Sequence, residues 1–143
     1  MGIDENKAAV KEAIVDFNDR ENRERYLERH DPSVAAHGLA PDGALDFDGV
    51  RGFYETLWAA FPDVEATIED MIAEGDEVAF RVTVRGTHEG EFMGVPATGT
   101  KITMAVQNIY RLRDGKVIER WSNPDMLGMM TQLGAIPAPG AAA

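Results

Sequence analysis

The chain has 143 residues, 44% of them hydrophobic, and a formal net charge of −11. A chain of that length is expected to fold as one domain around its own core, and the absence of cysteine excludes disulfides, thiolate metal sites and cysteine nucleophiles. The negative field repels nucleic acid and anionic membranes, so neither is expected as a partner.

The first residues, MGIDENKAAVKEA, are polar and acidic and lack the basic-then-apolar order of a secretory signal. No apolar run approaches the roughly 20 residues that span a bilayer. A soluble, cytoplasmic protein is expected. From Asp4 to about Phe17, Val10, Ile14 and Phe17 recur at i, i+4 and i+7, which predicts a helix with one buried face. Asn18 to Arg29 is strongly charged and predicts a short second helix anchored by Tyr26 and Leu27, broken at Asp31-Pro32-Ser33. Ser33 to Asp48 reads as loop, with a short apolar piece, Val34-Ala35-Ala36, ending at His37. Asp48 to Phe61 predicts a third helix that turns Val50, Phe53, Tyr54, Leu57, Trp58 and Phe61 to one side, and Pro62 ends it.

After Pro62 the period of the apolar residues changes to two. Val64 to Glu74 alternates and turns at Gly75-Asp76. Val78, Phe80, Val82 and Val84 then alternate with polar or small residues, as in a half-buried strand. Gly86 to Gly99 is a glycine-rich connection. Ile102, Met104, Val106, Asn108 and Tyr110 share one face of the next strand, and Asp114-Gly115 predicts a hairpin back through Lys116 to Ser122. Asn123-Pro124 reads as an N-cap followed by proline in the first helical position. Met126, Met129, Met130 and Leu133 follow at helical spacing, Gly134 stops that helix, and 138–143 is expected to be a frayed tail. Helices first and hairpin-connected strands after them predict an α+β fold in a single domain, 1–137.

Strand parity selects the residues able to carry chemistry. His88 shares the inward parity of Val78 to Val84 unless the glycines insert a bulge; the alternative is a turn histidine at the mouth of the connection. Asn108 is the one clearly polar residue on its apolar face, so it either bonds neighbouring backbone or lines a wet cavity. Asp125, early in the last helix, is either a carboxylate that complements the helix dipole or a general acid/base with its proton affinity set by an apolar pocket. The three histidines show no metal-ligand spacing. There is no phosphate loop, no dinucleotide fingerprint and no nucleophile-elbow serine. Catalysis, if present, is expected to be acid/base and free of cofactor and metal.

The segments AFPDVEATIEDMIAEGDEVAFRVTVRGTHEGEFMGVPATG (60–99), IYRLRDGKVIERW (109–121) and DMLGMMTQLGAIP (125–137), with AAHG (35–38) before them, resemble the SnoaL-like polyketide cyclases. The resemblance implies a cone of the nuclear transport factor 2-like class, with helices packed on a curved antiparallel sheet and a pocket between. It also implies intramolecular aldol closure of polyketide rings, with an aspartate after the last strand as general acid/base; that residue matches Asp125. His37, His88, Asn108 or a water would polarise the substrate oxygens, and Tyr54, Trp58, Phe61, Phe80, Phe92, Tyr110 and Trp121 would wall the pocket. The pattern departs from the family at Asn108, where many relatives carry an acidic residue or histidine, and at Arg120, where relatives often carry histidine. The expected ligand is a small, hydrophobic, carbonyl-bearing molecule, and the expected assembly a homodimer. A non-catalytic binding protein of the same shape is the alternative, and a dimeric interaction module a third reading.

Overall fold

The structure, a computed structural model, describes residues 2–137 and 140, so the expected tail, 138–143, lies outside the described residues except for Gly140. Four helices and five strands follow in the order α1 (Ile3–Asn18), α2 (Glu24–Glu28), β1 (His30–His37), α3 (Phe47–Ala60), β2 (Glu65–Glu74), β3 (Glu77–Thr87), β4 (Lys101–Arg113), β5 (Lys116–Pro124) and α4 (Met126–Gln132). The strands form one curved, unclosed sheet in the order β1-β5-β4-β3-β2. The expected α+β architecture is therefore present.

Two local readings are corrected. Residues 33–37, expected in a loop, belong to β1, which pairs parallel with β5 through Ala35↔Glu119, Ala36↔Arg120 and His37↔Trp121. Pro32 hides this strand in the sequence. An edge strand tolerates a residue without an N–H, and the register shifts between His30 and Ala35 to absorb it. At the other end, Pro124 is the last residue of β5 and Asp125 is itself the cap of α4, its carboxylate accepting from Gly128 N–H at 2.9 Å. The cap thus falls two residues later than Asn123.

Each helix buries the stripe that its spacing dictates. On α3, Val50, Tyr54 and Leu57 are buried at i, i+4 and i+7, and Asp46 caps the start through Gly49 N–H at 2.9 Å. Full burial of each such apolar side chain stabilises the fold by about 1.5–3 kcal/mol. On α1, Val10, Ala13, Ile14 and Phe17 do the same work, and the Asn18 amide pins the helix end to β2 by bonding both the N–H and the C=O of Ala66. Gln132 fastens α4 to β4 in the same way through Thr103. The helices and the concave face of the sheet enclose one core.

Register decides what that concave face carries. Val78 sits opposite Tyr110 and Tyr110 opposite Arg120; in the next inward row Phe80 sits opposite Asn108 and Asn108 opposite Ser122; then Val82, Val106 and Pro124 follow. The last two strands keep this match only because the register shifts between Arg111 and Leu112.

Candidate functional site

Between α1, α3, α4 and the concave face lies a cavity of about 60 Å³ that opens to solvent. Its walls are mostly apolar, built from residues such as Phe17, Phe53, Leu57, Val84, Phe92, Met104 and Met129. The polar side chains on the wall are confined to Tyr26, Tyr54, Asn108, Tyr110, Arg120 and Ser122. No aspartate, glutamate or histidine is among the described lining residues.

The polar sector centres on Arg120, which is only 2% exposed. Its Nε–H and an Nη2–H both donate to Ser122 Oγ, at 3.2 and 2.8 Å. Nη1 donates to the Tyr26 hydroxyl and to His30 Nε2, each at 3.0 Å. The guanidinium lies over the Tyr110 ring, 4.6 Å from its centroid, and 5.5 Å from that of Tyr54. The Tyr26 hydroxyl also meets those of Tyr110 at 2.9 Å and Tyr54 at 3.1 Å.

Arginine only donates, so His30 Nε2 must accept and its Nδ1–H turns to the Tyr26 and Leu27 carbonyls. Burial first, and then the Arg120 charge, lower the His30 pKa to about 3. Burial likewise pushes the phenols of Tyr26 and Tyr54 well above the ordinary range and that of Tyr110 to about 12. Around Arg120, then, every group is neutral at physiological pH. Burial opposes the guanidinium charge, but the surrounding phenol oxygens favour it and the net shift is upward.

Asn108 faces the same cavity and is 6% exposed. Its side chain makes no hydrogen bond to a described residue, and Oδ1 is buried without a partner. Among the described residues, then, Asn108 bonds no backbone group, and it lies on the cavity wall.

The other expected site residues are distributed unevenly. Tyr54, Phe92 and Tyr110 line the cavity. Phe61 and Phe80 are core side chains: Phe61 stacks on His88 and Phe80 packs edge-on against Tyr110. Trp58 is half-buried beside Arg23. Trp121 lies on the opposite face of the sheet, stacked on His37, whose Nε2 meets Glu119 at 2.8 Å. His88 has the inward parity and is fully buried, but it sits beyond the cavity wall; its Nδ1 accepts from Thr98 N–H at 3.2 Å, while Nε2 has no partner. Asp125 is exposed, with Pro124 and Met126, both lining residues, on either side of it in sequence. The structure brings Asn108, Tyr54, Tyr110 and Phe92 together and leaves His37, His88 and Trp121 apart from them.

Sequence reasoning missed Tyr26, His30 and Ser122 as parts of the site, and it noted Arg120 only as a departure from a family pattern. For Arg120 a signal existed in the buried row, but it depends on one extra residue in β5. Among the described residues no group of three or more His, Cys, Asp or Glu side chains is placed to hold a metal ion, and no helix is long and apolar enough to cross a membrane.

Comparison with known proteins agrees with this architecture. Residues 8–133 match the family model described as SnoaL-like polyketide cyclase. Aklanonic acid methyl ester cyclase DnrD of Streptomyces peucetius is 35% identical over 72 residues, which take in 49% of this chain and 50% of that protein. The match thus spans only about half the length of this relative. Among solved structures, AclR of Streptomyces galilaeus, described as a candidate hydroxylase, superposes with a TM-score of 0.87 at 31% identity, over 96% of this chain and 85% of its own. IdmH of Streptomyces antibioticus, a candidate polyketide cyclase, gives 0.78 at 34% identity, over 90% and 98%. With a family model covering most of its length and a fold shared with these structures, the chain belongs to the SnoaL-like polyketide cyclase family.

Proposed function

We propose that the chain is a cyclase-type enzyme acting without cofactor, by acid/base chemistry, on a hydrophobic, carbonyl-bearing molecule of polyketide type. The observation that carries this reading is the cavity with one polar sector, in which Asn108 Oδ1 is buried without a partner among the described residues. A buried acceptor left unpaired costs about 1–3 kcal/mol, a cost that a ligand's hydroxyl removes on binding.

In the intramolecular aldol step, a base takes a proton from a carbon flanked by carbonyls. The C–H electrons form the enolate, its carbon attacks a second carbonyl of the same molecule, and the new alkoxide takes the proton back. Substrate and product are isomers. Asp125 is the base in this reading, because it adjoins the cavity lip and matches the family's aspartate; to act, its carboxylate leaves Gly128 N–H and turns inward. Asn108 Nδ2 and the Ser122 hydroxyl are the donors for the developing oxyanion. This reading gives no role to His37 or His88, which are not among the described lining residues.

A relative named for aklanonic acid methyl ester supplies the test compound. Incubation with that ester is expected to give a product of equal mass and different retention, at a rate lost in Asp125→Asn. Failure to convert it overturns the reading for this substrate class.

One observation favours the second reading, a non-catalytic binding protein: the Asp125 carboxylate is engaged in capping and no other acid or imidazole is among the described lining residues. Recovery of bound, unaltered ester would select it. The homodimer belongs to the same proposal. The convex face carries Ile72, 70% exposed, and Ile109, 40% exposed, beside Ala79 and Trp121 along a shallow groove. Light scattering tests it, with twice the chain mass expected.

A further inference from the structure

Arg120 is the largest of the fully buried side chains. It takes part in none of the ion pairs among the described residues. Its partners are a serine hydroxyl, a tyrosine hydroxyl and an imidazole nitrogen, all uncharged. A guanidinium has five N–H groups, and these contacts use four of them, which leaves one on Nη2. The rings of Tyr110 and Tyr54 temper the charge through their faces but do not neutralise it.

Charges buried in folded proteins are paired or coordinated, because desolvation otherwise outweighs what the fold gains from them. Here the guanidinium lines the cavity rather than the core alone. Beside it, Ser122 already accepts two N–H bonds, so its own hydroxyl hydrogen is left to donate. Asn108, directly opposite Ser122 in register, has Nδ2–H groups that bond no described residue, and its Oδ1 is buried without a partner. The spare Nη2–H, the Ser122 O–H and the Asn108 amide thus belong to one sector of an otherwise apolar wall.

We infer that the molecule held in this cavity is an organic anion, an oxygen anion on a hydrophobic ring skeleton, seated against Arg120 with Ser122 and Asn108 bonding the same end. This deepens the function proposed above and rests on the cavity being the ligand site. The anionic oxygen is either a carboxylate or an ionised enol, and the two are separable by experiment. The anion enters against the −11 charge of the whole chain, so recognition must come from the short-range contact with Arg120 and not from long-range attraction.

The test is calorimetric titration of the full chain at about pH 8, where both acids are ionised and arginine remains charged. One pair of probes is anthraquinone carboxylate and its methyl ester; the other is a hydroxynaphthoquinone, an acidic enol, and its methyl ether. For at least one pair the ionised member is expected to bind about tenfold or more tightly than the neutral one. The pair that shows the preference identifies the anion. In Arg120→Met the two members of that pair are expected to bind alike. Equal binding within both pairs in the wild-type chain, tighter binding of the neutral members, or no binding of any probe overturns the inference, and so does a preference that survives Arg120→Met. If that variant fails to fold, the wild-type comparison alone decides. Conversion of aklanonic acid methyl ester together with equal binding would keep the cyclase reading and remove this one; an anion preference without conversion would do the reverse.

Discussion

The Arg120 guanidinium donates a 3.0 Å hydrogen bond to the Tyr26 hydroxyl, tying together residues 94 positions apart. Tyr26 comes from the short helix α2 and Arg120 from the inward row of β5. Their contact closes one end of the cavity with a cation and three phenols that share hydrogen bonds. No acidic side chain among the described residues pairs with that cation.

Arg120→Met removes four hydrogen bonds and leaves Ser122 Oγ and His30 Nε2 buried without that donor. A buried polar group left unpaired costs about 1–3 kcal/mol, so the variant is expected to be less stable than the wild-type chain by about that amount. Urea unfolding measures it. A midpoint at or above wild type would show that the unpaired charge costs the fold more than its hydrogen bonds return.

His30 sets a pH dependence. Its folded-state pKa is lowered to about 3, against 6.5 for the free side chain. Between those values the unfolded chain binds a proton that the native chain does not, so this group's contribution is complete above about pH 6.5 and declines as the pH falls towards 3. The slope expected from one such group is about 1.4 kcal/mol per pH unit. His30→Gln should flatten the unfolding free energy by that slope between pH 6 and pH 4, as read from urea titrations at each pH. An unchanged profile would mean that His30 is protonated in the native protein.

Asp125 separates capping from catalysis because asparagine caps a helix about as well as aspartate does. Asp125→Asn is expected to leave stability within a few tenths of a kcal/mol while abolishing ester turnover. Asp125→Ala is expected to lose about 0.5–2 kcal/mol as well. Thermal melts of the two variants alongside turnover would distinguish the roles. Equal activity in Asp125→Asn and wild type would remove the residue from the mechanism.

Gly38 follows β1 with φ +88, and a Cβ there would run into the backbone carbonyl of Ser122. Both the positive φ and the close approach select glycine. Gly38→Ala is expected to cost about 1–3 kcal/mol and to shift the Ser122 hydroxyl that Arg120 uses. Loss of thermal stability together with weaker probe binding is the expected pair of results, and an unshifted melting temperature would contradict it.

The sheet was legible in the sequence where one face is apolar and the other polar. Val78 to Val84 and Ile102 to Tyr110 declared their inward sides, and Asn108 followed from them. Arg120 was not legible in this way. Counting outward from the Asp114-Gly115 turn pairs Arg113 with Lys116 and Leu112 with Val117, as observed, and would then set Tyr110 opposite Glu119. A one-residue bulge before Glu119 shifts the match so that Tyr110 faces Arg120, and a shift of one residue exchanges the two faces of a strand. The carboxylate that plain alternation would have placed inside is outside, bonded to His37 and Arg111, and the guanidinium is inside. β1 was hidden for a different reason. Its first half is polar and contains Pro32, which only an edge position accommodates.

The parallel pairing of β1 with β5 also bears on when the site can exist. The strand that pairs with β1 contributes residues 117–121, more than eighty positions downstream, and contacts so far apart in sequence are slow to form. During synthesis, His30 and Tyr26 leave the ribosome long before Arg120 does. The two sides of the polar sector therefore meet only after nearly the whole chain is made, and a nascent chain cut short before β5 lacks Arg120 and Ser122 and so has no cavity end.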